Sequence, residues 1–456
     1  MGSPCARREP YRHAIVVGGS LSGMLAARVL SEHFAEVTVI ERDTLHEGPE
    51  PRKAVPHGRH AHGLLSRGWQ IFESLFPGLE EELREAGATW MDMGSEFRQY
   101  HSGRFKTPFP SGVSAPFMSR PLLEWRVARR TMARPNVRVL ASCDAVELVP
   151  TADGGAIAGV KVRRDGTNGT AEELLHAELV VDASGRASRL PRWLKALGYP
   201  APEQCEVRMH VGYATRIYSR TGARGTRPPE WKGLFVLPSR PAKRGGMVIP
   251  IEGERWMVSL IGWLYDHPPG DEKGFLDFAR SLPVPDVIGT VESLAPLGDI
   301  AHYKVPSNQR RCYERLTRFP EGLAVIGDAV CSVNPIYGQG ITISALHALV
   351  LDACLEKQRR EGCLRGFSHC LRDEMAKITD VAWQSATRED MRYPEVEGTR
   401  PADMDFMHSY MDRVHATAAR DPEVARCVLR VVHMLEPPST LLSPDMLARV
   451  VATEPR

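Results

Sequence analysis

The chain has 456 residues, 43% of them hydrophobic, with a formal net charge of +2. That length buries a large core and predicts two or more domains, while the near-neutral balance and scattered arginines exclude a nucleic-acid partner. No run approaches the roughly 20 apolar residues that span a membrane, and the first apolar run stops after four residues at Gly18, too short for a secretory signal, so a cytoplasmic protein without a transmembrane segment is expected. The nine cysteines, an odd number without CxxC spacing, read as reduced thiols rather than a disulfide framework or metal site, with Cys354, Cys363 and Cys370 as packing residues.

In chain order, Ala14-Ile15-Val16-Val17 is a short apolar run suited to a buried parallel strand. The turn Gly18 to Gly23, in VVGGSLSGM, leads into a helical pattern from Met24 to Leu30. A helix start so placed, with Leu21 and Ser22 in its first turn, favours a pyrophosphate through free N–H groups and the helix dipole. Against G-x-G-x-x-G, Gly18 and Gly23 fit and Ser20 replaces the middle glycine. A second run, Val37 to Ile40, ends in Glu41, at the spacing of an acid that accepts hydrogen bonds from a ribose, with Arg42 beside it.

A proline-bearing loop (Pro49, Pro51, Pro56) follows, carrying Arg52, Arg59 and the histidines His57, His60 and His62. Three imidazoles in six residues are a metal pattern only with a fourth ligand at recognisable spacing, and there is none, so no metal is expected. The predicted role is packing along a cofactor, with Arg52 and Arg59 supplying positive charge. Helices are predicted over about 66–75, 80–86 and 121–130, strands at 137–140 and 145–148, and a hairpin from 156–163 through the turn Asp165-Gly166 to 171–181, returning to the nucleotide sheet. Alternating runs between about 205 and 305, among them 211–215 and 256–261, predict a largely antiparallel sheet, the candidate substrate domain, with Tyr213, Trp256 and Trp263 as candidate pocket aromatics beside Tyr337.

A second glycine segment, GLAVIGDAVCSVNPIYGQGITIS from Gly322 to Ser344, lies about 300 residues from the first, with VVDASGRASRL (180–190) between them. Each segment reads as part of one dinucleotide site. Beyond them, Leu346, Leu349, Val350, Ala353 and Cys354 share one helix face, and the rest is helical. Asp421-Pro422 and Ser443-Pro444 both place a capping residue before proline, and Pro437-Pro438 separates the two helices.

On these three segments the chain resembles the single-component FAD-dependent monooxygenases typified by p-hydroxybenzoate hydroxylase and squalene epoxidase, over about residues 14–350. The resemblance implies an α/β protein with a Rossmann-like FAD-binding domain in three parts (12–80, 119–200, 311–356), interleaved with a mostly antiparallel substrate domain (81–118, 201–310) and followed by a helical region (357–456). It implies FAD contacts from Gly18, Ser20, Gly23 and Glu41, from Arg120 in SRPLLEW, from Asp182, from Gly327 and Asp328, and from Pro335, Gly338, Gln339, Gly340 and Ile341 against the flavin ring. Two residues, Ala183 and Ser184, interrupt the Asp-Gly motif at Asp182, and Cys331 stands where many aromatic hydroxylases have histidine.

PRKAVPHGRHAHGLL, with ERD before it and NPIYGQG after it, is similar more narrowly to bacterial epoxidases of polyether-antibiotic pathways. This similarity implies NADPH or NADH as electron donor, molecular oxygen as co-substrate, and delivery of oxygen from a flavin hydroperoxide to an alkene of a lipophilic polyketide or terpenoid. Such chemistry needs binding, orientation and exclusion of water rather than a protein nucleophile, so no catalytic side chain is assigned. Phenol hydroxylation, a geranylgeranyl-reductase-like activity and a non-enzymatic flavin-binding module are the alternatives. A flavin halogenase lacks support because GWLYDHP does not match W-x-W-x-I-P. Monomer and homodimer both stay open, and the C-terminal helices have three open roles: covering the substrate cavity, dimerising, or touching a membrane.

Overall fold

The computed structural model describes residues 10–166, 169–220 and 231–452. Tyr11–Val17 lies at the centre of a five-stranded parallel sheet in the order 323–325, 179–182, 11–17, 34–40, 137–140. Strands 323–325, 179–182 and 137–140 are only three or four residues long; the first two are near-continuous apolar runs covered on both faces, whereas 137–140, an edge strand, has Arg138 exposed. On one face the helices Leu21–Leu30, Arg120–Met132 and Gln339–Glu361 pack together through Met24, Leu25, Val127, Ala345 and Ala348. On the other face a three-stranded sheet of 143–150, 157–166 and 169–176 covers Ile15, Val17 and Val180.

The hairpin departs from expectation in two ways. Asp165 and Gly166 end the first strand instead of forming the turn, and 167–168 lie outside the described residues. The run 171–181 is two strands: Gly169–His176 stays with the three-stranded sheet, and Leu179–Asp182 enters the parallel sheet. The break at Ala177-Glu178 lets Glu178 N–H donate to His13 O at 2.9 Å and its carboxylate accept from Arg12.

The largest sheet has eight strands in the order 331–332, 301–312, 203–219, 255–262, 244–251, 233–236, 97–101, 104–105. All its pairs are antiparallel except 233–236 with 97–101, so the segment before Arg120 is an edge of the same sheet. Helices Glu272–Arg280 and Asp286–Ser293, which the alternating pattern did not reveal, cover its outer face through Phe275, Phe278 and Val287. The C-terminal part holds Phe367–Asp390, Met404–Ala418, Pro422–Val432 and Pro444–Ala452. Asp421 accepts from Glu423 N–H and Val424 N–H, the capping arrangement that Asp-Pro predicts. No helix among the described residues is long and apolar enough to cross a membrane.

A dinucleotide cleft and an adjoining chamber

Where the parallel sheet ends, its loops surround a cleft of about 750 Å³. The first hydrogen bond of helix Leu21–Leu30, Met24 N–H to Ser20 O at 2.9 Å, leaves the amides at the helix start for an anion. Gly23 has no room for a side chain, because a Cβ there would collide with the Gly18 carbonyl. Ser20, where the fingerprint usually has glycine, turns its hydroxyl away from capping and accepts from Arg120 Nη2 at 3.1 Å. That bond joins the first glycine segment to the start of helix Arg120–Met132.

Glu41 is buried at the end of its strand, with Oε2 accepting from Gly19 N–H and Oε1 from Asp43 N–H, each at 2.8 Å. A carboxylate keeps further lone pairs beyond these two, which suits a ribose hydroxyl. Arg52 bridges two buried acids, Glu41 at 3.3 Å and Glu124 at 2.8 Å, and Arg120 lies 3.6 Å from Glu124. The two arginines are thereby held by paired acids in a region of low solvent access.

At the opposite side, Gly327 holds φ +61°, and a Cβ there would strike Ser22 Oγ. Ser22 in turn donates to Ser344 Oγ at 2.6 Å, so the first and last glycine segments meet through this pair. Asp328 follows Gly327 in the cleft wall, its carboxyl pushed above the ordinary range by burial and drawn back by Arg120 and Arg186. Gly338, at φ +66°, starts the 23-residue helix Gln339–Glu361 beside it.

Of the residues predicted from sequence, Gly18, Ser20, Leu21, Ser22, Glu41, Arg42, Arg52, Arg120, Asp328, Pro335, Gly338, Gly340, Ile341 and Tyr213 line the cleft. Gly23, Gly327 and Gln339 are not in its wall: the two glycines pack against the Gly18 carbonyl and Ser22, and Gln339 is buried at the start of its helix. Asp182 is buried under it, its carboxylate accepting from Ser184 N–H and from the hydroxyls of Ser184 and Ser188, which leaves it a brace of the 183–188 turn. Arg59 is exposed and lines neither cavity, because the short 3-10 turn Pro56–Arg59 carries it outward. The histidines do face inward. Burial first, and then nearby positive charge, holds His57 at about 3 and lowers His62 well below the usual imidazole range. His60 is held at about 4, mainly by burial. His60 Nδ1 shares a hydrogen bond with Thr215 Oγ1 at 2.8 Å, and its buried Nε2 has no partner among the described residues. Sequence reasoning missed Arg186 and Tyr303, which line the same cleft from the 183–188 turn and the large sheet.

A second cavity, of about 1230 Å³, lies between the edge of the large sheet and the C-terminal helices. Trp263 and Tyr337 line it, whereas Trp256 packs edge-on to Trp231 in the core under helix Glu272–Arg280 and lies outside both cavities. Tyr337 belongs to the turn Pro335–Tyr337, whose Pro335 and following Gly338 line the cleft, so one turn borders both spaces. Behind it lies the buried Asp390, which accepts from Tyr337 OH and Asn334 Nδ2 at 2.8 Å and from Asn308 Nδ2 at 2.6 Å. Burial pushes Asp390 up to about 7 despite these three donors.

A parallel sheet with a glycine-bearing phosphate loop, a buried acid at the second strand, and a separate sheet standing against the cleft together define a dinucleotide-binding flavoprotein fold. The chain belongs to the FAD binding domain family, whose model matches residues 12–363. Protein Rv3254 of Mycobacterium tuberculosis is 31% identical over 97% of this chain and 94% of its own length. Kynurenine 3-monooxygenase of Salinispora arenicola is 25% identical over 85% of this chain and 81% of its own. The crystal structure of p-nitrophenol 4-monooxygenase PnpA from Pseudomonas putida DLL-E4 superposes with a TM-score of 0.61 at 19% identity, covering 94% of this chain and all of that one, a likeness of fold.

Proposed function

We propose that the chain transfers one oxygen atom to a carbon–carbon double bond of a lipophilic substrate held in the 1230 Å³ chamber. The observation that carries this reading is the shared turn: Pro335 and Gly338 border the cleft while Tyr337 borders the chamber. FAD fits the cleft by the free amides at the start of helix Leu21–Leu30, the acceptor capacity of Glu41 and the unpartnered His60 Nε2. When bound, FAD supplies activation of molecular oxygen, with NADPH or NADH as the source of electrons. In this proposal Gly18 to Ser22 and Arg120 take the pyrophosphate, Glu41 the ribose, and Asp328 with 335–341 the flavin end.

The protein's own work is then orientation and dryness. Phe105, Phe109, Trp231 and Trp263 supply apolar wall, and helices Met404–Ala418 and Pro422–Val432 form one side of the chamber. Its volume exceeds the range of roughly 300–1,000 Å³ usual for small-molecule sites, which favours a polyketide or terpenoid over a single ring.

One observation favours a second reading, hydroxylation of a phenol. Tyr337 OH, on the chamber wall, donates to Asp390. A substrate hydroxyl donating to Tyr337 Oη would pass its proton through the tyrosine to Asp390 Oδ1, activating the ring.

The test supplies holoenzyme with NADPH or NADH, isotopically labelled dioxygen, and a panel of terpenoid alkenes and alkylphenols. A product carrying one labelled oxygen, formed with substrate-stimulated oxygen consumption, is expected, and an epoxide from an alkene or a dihydroxyarene from an alkylphenol decides between the two readings. Saturation of an alkene without oxygen uptake would replace both with a reductase.

A further inference from the structure

One corner of the chamber is built from the edge hairpin 97–105 and bordered by helices Met404–Ala418 and Pro422–Val432. Lys106 follows the hairpin there. Its backbone N–H donates to Gln99 O and its Nζ to Gln99 Oε1, both at 2.9 Å, which fixes the side chain against the strand. Among the other cations that line the chamber, Arg98 is neutralised by Asp286 at 3.0 Å and Arg392 by Glu389 and Asp412 at 2.7 Å each, while Arg104 and Arg240 are exposed to solvent. Lys106 has no carboxylate partner among the described residues, although an ammonium carries three donors and Gln99 takes one.

Three imidazoles surround this charge. His101, on the same hairpin, stands edge-on to His415 with ring centroids 5.1 Å apart, and His433 ends the second bordering helix. Burial and the Lys106 charge keep His101 and His433 at about 4 and His415 well below the ordinary imidazole range, so all three are neutral at physiological pH. His415 Nδ1 is buried without a partner. The corner therefore holds a cation that is not solvent-exposed and has no carboxylate partner among the described residues, neutral polar neighbours and an unused polar atom, in a chamber whose wall elsewhere mixes polar side chains with Phe105, Phe109, Trp231 and Trp263. A desolvated ammonium without a counter-charge is unfavourable, and a bound anion is what removes the cost.

We infer that Lys106 is an anion-binding end of the chamber and that the substrate is a lipophilic molecule bearing a carboxylate, seated on Lys106 with its hydrocarbon toward Trp263 and Tyr337. This rests on the proposed role of the chamber as substrate site. Oxygen transfer then falls on carbons away from the carboxylate, because Tyr337 and not Lys106 adjoins the cleft.

Burial lowers Lys106 to about 8 in the free protein. A carboxylate beside it raises that value, so binding takes up a proton, and affinity falls by up to about 10-fold per pH unit above about pH 8. Around this group, His101, His415 and His433 are already neutral in that range, and Glu389, Arg392 and Asp412 stay ion-paired.

The experiment titrates FAD-loaded protein, following the flavin absorption spectrum, with oleate, farnesoate and 2-naphthoate and with the corresponding alcohols as neutral probes. At least one acid is expected to bind about 10-fold or more tightly than its alcohol at about pH 7, the scale of a charge-assisted hydrogen bond. K106M should abolish that preference, with FAD content and melting temperature reporting that the variant is folded. K106R should keep it and flatten its decline toward about pH 9, because guanidinium does not titrate there. An acid preference that survives K106M, or no preference for any acid over its alcohol, would overturn the inference. Equal oxygenation of acid and alcohol would also overturn it while leaving the monooxygenase reading intact. Selective binding of the acid without any oxygenated product would keep the site and remove the role assigned to the chamber.

Discussion

Asp390 offers a quantitative check of the wall behind Tyr337. Asn308 Oδ1 accepts from Asn334 N–H at 2.6 Å, and Asn334 Oδ1 accepts from Ile336 N–H at 3.2 Å. Backbone amides thus fix both side-chain amides so that their NH₂ groups must face Asp390. Burial raises Asp390 from 3.8 to about 7, a rise corresponding to ~4 kcal/mol between its two protonation states. The folded pKa lies above the unfolded value, so the folded state holds the proton more tightly. Stability is fully present below the unfolded pKa and is lost as pH rises through the folded one. Between about pH 5.5 and about pH 8.5 the wild-type chain should lose ~2 kcal/mol from this group, or about 2 °C in Tm for a chain of this size. D390N removes the titration and leaves Asn308 NH₂ facing a second donor, costing about 1–3 kcal/mol at low pH. Melting curves of both proteins at the two pH values should show the gap closing as pH rises. A gap that stays constant, or widens toward alkaline pH, would refute the assignment of a neutral buried Asp390 at low pH.

Three further outcomes follow from the cleft. G23A should purify with little or no FAD, read from the ratio of flavin to protein absorbance, because the new methyl group displaces the Gly18 carbonyl. R120M should weaken FAD binding to the apoprotein by about 10-fold or more in a fluorescence titration, whereas R59M should leave it within about 2-fold, since Arg120 bonds Ser20 and Arg59 is exposed. W256A should lower Tm through loss of its contact with Trp231, a truncation costing about 3–5 kcal/mol, while leaving the KM of any turned-over substrate unchanged.

The parallel sheet was legible because its strands are short apolar runs beside glycine turns, and strand Val137–Leu140 falls on its predicted bounds. Gly18, Gly23 and Glu41 were legible for the same reason, since sequence spacing alone places them around one helix start. Arg186 and Tyr303 were not, because they reach the cleft from a turn and a sheet that only the tertiary fold brings there. Asp182 lay in a recognisable motif, but whether a carboxylate faces a ligand or its own turn depends on the neighbouring hydroxyls of Ser184 and Ser188. Trp256 and Trp263 lie in and just beyond one strand, seven residues apart, an odd spacing that puts them on opposite faces, but alternation alone does not say which face meets the covering helices and which the chamber. The chamber itself had no sequence signal, since it is the space left between an edge hairpin and helices some 300 residues further on.

The meeting of Ser22 with Ser344 and of Gly327 with the first glycine segment also sets an order of assembly during synthesis. Strands 11–17 and 34–40 pair early, yet the edge strand 323–325 and the helix that buries Ala345 and Ala348 emerge from the ribosome much later. Until then one side of strand Leu179–Asp182 has no partner, and the apolar face of helix Leu21–Leu30 has no cover from Gln339–Glu361. The nascent chain therefore carries an unfinished sheet through most of its translation, a state that invites aggregation or chaperone binding. Cofactor capture becomes a late, nearly post-translational event, and truncations ahead of Ser344 should yield insoluble chains rather than a smaller nucleotide-binding unit.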